Sequence, residues 1–242
     1  MLGSGTMKVC GLFTGLAGWE KPFIFNGDKV FMTDNNVKYA RYLTMTEDIL
    51  KVTPEDIIEH LGGKPDVMVL SPPCTCFSIA SAGTHWHRPV KDGVVEHREP
   101  KTEAARKAVE IVEHCLYLIE ELDPTYWIME NPRGLMRKLP QLSGLNRATV
   151  WYCQYGESRA KPTDIWGKWP TSFIPRPECS NSNHSPGKYC HHDRQPRGYQ
   201  AKKDLKVLDK GTQGLRGNAI RSLIPKQLAT QWFKACNKEL SE

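Results

Sequence analysis

Short apolar runs alternate along the chain with stretches in which apolar residues recur every three or four positions. The short runs predict buried strands at Lys8–Phe13, Val30–Thr33, Asp66–Leu70, Tyr126–Met129, Thr149–Gln154 and Asp164–Trp166. The periodic stretches predict helices at Asp56–Leu61 and Thr102–Leu122. Strands that alternate with helices are typical of a parallel sheet, so we expect an α/β fold.

Length and composition suit one folded domain with a small appendage: 242 residues, 39% hydrophobic and 25% charged. The sequence has no run of eighteen apolar residues, and its start lacks the basic-then-apolar order of a secretory signal. We therefore expect neither a membrane span nor export, and a cytoplasmic location. The first six residues, Met1–Thr6, read as a cloning remnant before Met7.

Residues suited to binding or chemistry follow four of the predicted strands. Gly15 and Gly18 follow the first strand, Asp34 the second, Cys74 the third and Glu130 the fourth. Ligands of α/β sheets gather at these carboxyl ends. Glycines there let the backbone approach a cofactor, and an acid after the second strand commonly holds ribose hydroxyls, which favours a nucleoside-bearing cofactor. A tight turn with nothing bound is the alternative.

Cys74 is the candidate nucleophile. Pro72 and Pro73 stiffen the backbone before it and place the thiol at the mouth of the sheet. Glu130 and Arg159 can converge on the same face as an acid and a hydrogen-bond donor. Any cysteine can instead be a small buried hydrophobe. That alternative suits Cys10, Cys115 and Cys236.

Five segments resemble, in order along nearly the whole chain, the motifs of the cytosine-C5 DNA methyltransferases. They are Leu12–Trp19 for F-x-G-x-G, Ser71–Ser78 for P-P-C-Q-x-F-S, Glu130–Pro132 for E-N-V, Glu157–Lys161 for Q-x-R-x-R, and Gly217–Ile220 with Ile224-Pro225 for G-N-S-V…P. The chain departs from these motifs at Thr75, Cys76, Pro132, Glu157 and Lys161. None of these departures removes the chemistry that the motifs imply.

The resemblance implies methyl transfer to C5 of cytosine in double-stranded DNA. Cys74 would attack C6 of a flipped-out base while Glu130 donates to N3. Arg159 would contact O2 of the pyrimidine, and Lys161 would complete the catalytic set.

The resemblance also implies a Rossmann-like α/β fold of the S-adenosylmethionine-dependent methyltransferases, with a small basic target-recognition insert, and S-adenosylmethionine as the cofactor. The residues that would hold it are Phe13, Gly15, Leu16, Gly18, Trp19, Asp34, Asp48, Ile49, Pro72, Asn218 and Ala219. Asp34 would bind the ribose, and Asp48 with Ile49 would lie beside the adenine. For Asp48 an ordinary helix cap is the alternative.

The expected nucleic-acid contacts lie in two regions. Residues 175–216 carry nine basic and four acidic residues, a net charge of +5 out of +6 for the chain, which suggests contact with phosphates. Ile79–Pro100 follows the nucleophile as the family's mobile catalytic loop does. The candidate contacts are Ser78, directly before this loop, and His85, Arg88, Arg194, Arg197, Lys202 and Lys203. A solubilising loop and a long connector are the respective alternatives.

The resemblance divides the chain into a catalytic domain at 7–170, a small basic target-recognition insert at 171–212 and a C-terminal segment at 213–242 that returns to the catalytic domain. An insert of this size implies short or loose sequence specificity. A compact viral or mobile-element enzyme suits that economy, so we expect a monomer in a bacterial or phage-infected cell.

The insert contains sulfur and imidazole groups in the number that a tetrahedral zinc ion needs: Cys179, His184, Cys190 and His192. Structural zinc could order a segment with little apolar material. The spacing is not a standard finger pattern, and a polar loop with incidental histidines is an equal alternative.

Three other functions remain open. A transfer-RNA cytosine methyltransferase of the same fold would use the same catalytic residues and is the main alternative. An amino methyltransferase acting on N4 or N6 has an aromatic residue where Cys74 stands, and Glu130 has no task in that chemistry. A non-catalytic nucleic-acid-binding relative is expected to lose Cys74, Glu130 or Arg159, and all three are present.

Overall fold

The computed structural model describes residues 6–88, 90–91, 94–95, 99–157, 160–179 and 222–242. The strands are β1 Lys8–Leu12, β2 Lys29–Asp34, β3 Met45–Thr46, β4 Val67–Leu70, β5 Val90–Lys91, β6 Val94–Val95, β7 Tyr126–Pro132, β8 Arg147–Trp151 and β9 Pro162–Lys168. The α-helices are α1 Lys21–Asn26, α2 Pro54–Leu61, α3 Ala82–His85, α4 Glu103–Leu122 and α5 Lys226–Leu240. Short 3-10 helices lie at Val37–Tyr42, Ile49–Lys51, Ile79–Ser81, Met136–Lys138, Pro140–Leu142 and Tyr152–Tyr155.

Seven strands form one sheet in the order β3-β2-β1-β4-β7-β9-β8. The first five strands in this order, β3, β2, β1, β4 and β7, are parallel to one another, and β1 pairs with both β2 and β4. This arrangement confirms the expected Rossmann-like α/β fold. The last strand in sequence, β9, runs antiparallel between β7 and β8, which the apolar pattern did not indicate. β5 and β6 pair separately as a two-stranded antiparallel ladder.

Two apolar layers cover the sheet, as its central strands require. Cys10 and Leu12 of β1 pack on the face covered by α2 and α4, whereas Val9 packs on the face of α1 and α5. Phe23 of α1 meets Phe233 of α5 edge to face, with ring centroids 5.2 Å apart. The carboxyl ends of the parallel strands therefore come together at one edge of a sandwiched sheet.

The predicted elements are present, with shifted ends. The strand predicted at Thr149–Gln154 is observed as β8 and stops at Trp151, whose partner Pro162 has no N–H to continue the ladder. β7 extends through Pro132 because β9 pairs with its end. The predicted helix at Thr102–Leu122 is α4, with the Thr102 side chain capping the amide of Ala105. No helix in the described part of the chain is long and apolar enough to cross a membrane.

Candidate active site

The loop after β1 turns sharply over the ends of β1 and β2. Phe13, Gly15 and Ala17 have φ of 61°, 52° and 57°, in the left-handed region that side chains rarely adopt. The amide of Thr14 donates to the carbonyl of Thr33 at 3.0 Å, and the amide of Ala17 donates to the carbonyl of Thr14 at 2.8 Å. These bonds hold a strained turn at the expected cofactor position.

Asp34, at the end of β2, is tied to this glycine loop. Its Oδ2 accepts from the amide of Gly15 at 3.0 Å, and its Oδ1 accepts from the amide of Asn36 at 2.8 Å. Each carboxylate oxygen can accept a second hydrogen bond. Asp34 can therefore both fix the loop and accept from the hydroxyls of a ribose.

The segment before α5 lies against the other side of the glycine loop. A Cβ added to Gly18 would lie 3.1 Å from the backbone nitrogen and side chain of Ile224, so the two segments are in close contact. Trp19 is buried in the core under α1 and α5, and Leu16 is exposed. Asn218 and Ala219, which precede Ile224, lie outside the described residues.

Asp48 makes the cap that the sequence left as an alternative. Its Oδ1 accepts from the amide of Leu50 at 3.3 Å, and its Oδ2 accepts from Nζ of Lys107 at 2.8 Å. The hydrogen bond from Lys107 is the main reason that the pKa of Asp48 lies below its ordinary value. Ile49 is buried in the core under α2 and α4. A role for this pair in binding adenine stays a prediction.

The loop after β4 presents one thiol and buries the next. Pro72 is buried, whereas Cys74 is exposed at the start of a turn. The carbonyl of Cys74 accepts from the amides of Phe77 and Ser78, both at 3.0 Å. Cys76 is only 7% exposed, and its burial raises the pKa of its thiol. Accessibility therefore favours Cys74 over Cys76 as a nucleophile.

Glu130 lies inside β7 rather than after it and is 5% exposed. Burial raises the pKa of this carboxyl, while the charge of Lys161 and a hydrogen bond from Ser71 act in the opposite direction. Its Oε2 has no hydrogen-bond partner among the described residues. A buried carboxyl that retains its proton and has an open oxygen can donate to a bound base.

The end of β7 clamps the Cys74 loop. The Asn131 side chain donates to the carbonyl of Pro72 at 2.9 Å, and the amide of Leu135 donates to the carbonyl of Phe77 at 2.7 Å. A Cβ at Gly134 would lie 2.2 Å from that same Phe77 oxygen, so only glycine fits there. Glu130 and the turn of Cys74 are thereby held by one connected framework.

Sequence reasoning missed two parts of this framework. Gly134 is one of them, and its signal in the sequence is a glycine two residues after Pro132. Trp86 falls inside the expected mobile loop, where the sequence did not mark it as an anchor. Its indole Nε1 donates to the buried carbonyl of Cys76 at 2.7 Å, and its ring lies 5.8 Å from that of Phe77.

Lys161 lies close enough to Glu130 for its charge to act on the carboxyl. Its Nζ is 4.4 Å from the centroid of the Tyr152 ring, a cation–π contact that orients the side chain. The residue has φ of 28°, an unusual backbone conformation for lysine. Arg159, two residues earlier, lies outside the described residues.

Three of the seven expected nucleic-acid contacts lie among the described residues. The hydroxyl of Ser78 accepts from the amide of Ala80 at 3.2 Å. Nδ1 of His85 lies 2.8 Å from Oγ1 of Thr102, and Arg88 is exposed. Arg194, Arg197, Lys202 and Lys203 lie outside the described residues.

Of the candidate zinc ligands, only Cys179 is described. It is buried in a small cluster with Trp151 and Cys153. His184, Cys190 and His192 lie outside the described residues. Within the described part of the chain, no group of three or more His, Cys, Asp and Glu could hold a metal ion.

No family model and no curated protein matches this chain. Among solved structures, a candidate DNA modification methyltransferase from an E. coli prophage has 18% identity and a TM-score of 0.49 over 72% of this chain and 52% of its own. The S. pombe Dnmt2 methyltransferase has 13% identity and a TM-score of 0.43, over 78% of this chain and 58% of its own. The Entamoeba histolytica methyltransferase EhMeth has 11% identity and a TM-score of 0.48, over 98% of this chain and 96% of its own. This chain thus spans little more than half the length of the first two, and likeness at these identities concerns the fold alone.

Proposed function

We propose that this chain transfers a methyl group from S-adenosylmethionine to C5 of cytosine in double-stranded DNA, through a temporary bond between Cys74 and C6 of the base. One observation carries the proposal. The exposed Cys74 turn is bound through Asn131 to the end of β7, the strand that carries the buried Glu130, and through Leu135 to the segment just after that strand. A nucleophile and an acid held in one framework are what addition to a pyrimidine ring requires.

The two residues divide the chemistry between them. C5 of cytosine is a weak nucleophile until the thiolate of Cys74 adds to C6 and Glu130 supplies a proton to N3. Because burial raises the pKa of Glu130, its carboxyl is protonated over a wider pH range and can make this donation. After C5 has received the methyl group, which would leave S-adenosylhomocysteine behind, C5 loses its proton to a base, Cys74 leaves C6 as a thiolate and the N3 proton returns to Glu130.

The residues around the glycine loop fit the proposed cofactor, which supplies a methyl group on a sulfonium. The left-handed turn at Phe13 to Ala17 has the conformation by which a glycine loop after a first strand lets backbone approach a cofactor. Asp34 has acceptor capacity left for ribose hydroxyls. Holding the cofactor there is the task of the loop and of Asp34, at the same edge of the sheet as the Cys74 turn.

The target base has to leave the duplex, because a stacked cytosine does not expose C6 to a thiol. We propose that the basic residues of 175–216 hold the DNA through its phosphates. We propose further that Cys179, His184, Cys190 and His192 hold a zinc ion that orders this insert.

The function is tested by incubating the protein with S-adenosylmethionine and either mixed-sequence DNA or transfer RNA. Unmodified cytosines are then converted chemically, and the positions that resist conversion are read. We expect resistant cytosines in DNA, and none with Cys74→Ser. Resistance in RNA alone would favour the transfer-RNA methyltransferase, and resistance in neither substrate would contradict the proposal.

A further inference from the structure

Glu20 is a buried acid directly behind the glycine loop. It stands at the start of α1 and is 2% exposed. A Cβ added to Gly11 would lie 2.3 Å from its Oε1 and 2.9 Å from its Cδ. The carboxylate thus fills the space next to the end of β1 that a side chain at residue 11 would occupy. Glycine at 11 is what allows an acid from the next element to reach this place.

One side of this carboxylate is held and the other is open. The hydroxyl of Thr14, which donates to the carbonyl of Gly11 at 3.2 Å, and the backbone amides of Trp19 and Glu20 itself lie close enough to favour the carboxylate form. Oε2 has no hydrogen-bond partner among the described residues. None of the ion pairs in that part of the chain includes Glu20. A buried acceptor in this position is costly unless something else binds it.

The charges that face Glu20 are of its own sign. Asp34 at the end of β2 and the thiol of Cys10 in β1 both act on it or are acted on by it. Asp34 belongs to the same loop framework through the amide of Gly15. The end of β1 is therefore a negative site, which suits a cationic ligand group with several hydrogen-bond donors.

We propose that Glu20 binds the α-ammonium group in the methionine part of S-adenosylmethionine. This inference rests on the proposed function and assigns one ligand group within it. An ammonium has three donors, so it can satisfy the open Oε2 and still contact the loop backbone. Burial raises the pKa of Glu20 to about 7, and a bound cation would lower it again.

A purely structural role is distinguishable from this one. Glu20→Gln keeps the size of the side chain and an oxygen acceptor toward Thr14, and it removes only the charge. If Glu20 merely supports the loop, the substitution either leaves all affinities unchanged or weakens the binding of every ligand alike. If Glu20 binds the ammonium, the substitution weakens only the binding of ligands that carry an ammonium group.

The experiment measures binding by calorimetry at pH 8 with S-adenosylhomocysteine and with 5′-methylthioadenosine, which lacks the amino-acid part. Glu20→Gln should weaken binding of the former by about 10- to 100-fold, the range for a hydrogen bond to a charged group, and leave the latter unchanged. Glu59→Gln, an exposed acid on α2, should change neither. In the wild type the affinity for S-adenosylhomocysteine should fall as pH drops below about 7, and this dependence should vanish in Glu20→Gln.

Gly11→Ala provides a second route should Glu20→Gln fail to fold. Its methyl group would displace the carboxylate while keeping the charge, so the same selective loss is expected. Equal weakening of both ligands, or no weakening of either, would overturn the assignment of Glu20. A wild-type protein that binds neither ligand would instead count against the proposed function.

Discussion

The burial of Glu20 predicts a pH-dependent loss of stability that Glu20→Gln removes. Burial raises the pKa of this carboxyl from 4.5 to about 7 in the folded protein. Below pH 4.5 both the folded and the unfolded chain hold the proton, so the group has no effect. As pH rises from there to about 7, the unfolded chain releases its proton first, and the free energy of unfolding falls.

The size of the effect follows from the two pKa values. Each pKa unit between the folded and unfolded states corresponds to about 1.4 kcal/mol, so the full loss is about 3 kcal/mol once pH exceeds 7. This is a large share of the stability of an ordinary domain. Glutamine does not titrate in this pH range, so the free energy of unfolding of the variant should not fall in this way.

The assay is urea unfolding of the ligand-free wild type and of Glu20→Gln from pH 5 to pH 8. The difference between their free energies of unfolding should grow in favour of the variant by about 2–3 kcal/mol across this range. The difference between wild type and Glu59→Gln should stay flat, because Glu59 is exposed. A Glu20→Gln difference that does not change with pH would refute the reasoning, since it would mean that the buried carboxylate is already compensated.

Three further changes test the site and the insert. Glu130→Gln cannot give a proton to N3, so single-turnover methyl transfer should fall by about 10²- to 10⁴-fold; an unchanged rate would mean that another group activates the base. Lys202→Glu with Lys203→Glu should weaken binding to every DNA sequence alike and flatten its dependence on salt; loss confined to one sequence would argue against phosphate contacts. Cys179→Ser should release zinc by elemental analysis, and wild-type protein purified without chelator that holds no metal would dispose of the zinc proposal.

The gathering of the candidate residues was predictable because parallel strands end at one edge. Gly15, Asp34 and Cys74 follow separate apolar runs, and the structure joins Asp34 to Gly15 by a hydrogen bond at that edge. The antiparallel direction of β9 was not predictable, since a short apolar run has the same pattern in either direction. Its pairing with β7 is a long-range choice, and it is the reason that Glu130 lies within a strand.

Glu20 shows what a linear pattern cannot reveal. An acid beside the start of a helix ordinarily lies in solvent near the helix dipole. Its burial depends on Gly11, nine residues earlier, which leaves room for the carboxylate in the packed structure. Glu130 was a candidate from the sequence because it directly follows an apolar run. The only signal for Glu20 is that residue 11, on the preceding strand β1, is a glycine.

The central claim is covalent catalysis by Cys74, and DNA containing 5-fluorocytosine tests it most directly. Fluorine replaces the C5 proton that has to be removed, so elimination of the thiol stalls and the protein stays attached to the DNA. With S-adenosylmethionine present, the wild type and Cys76→Ala should both form an adduct that survives denaturation, and Cys74→Ser should form none. An adduct formed by Cys74→Ser, or its absence with the wild type on DNA that the protein methylates, would contradict the account.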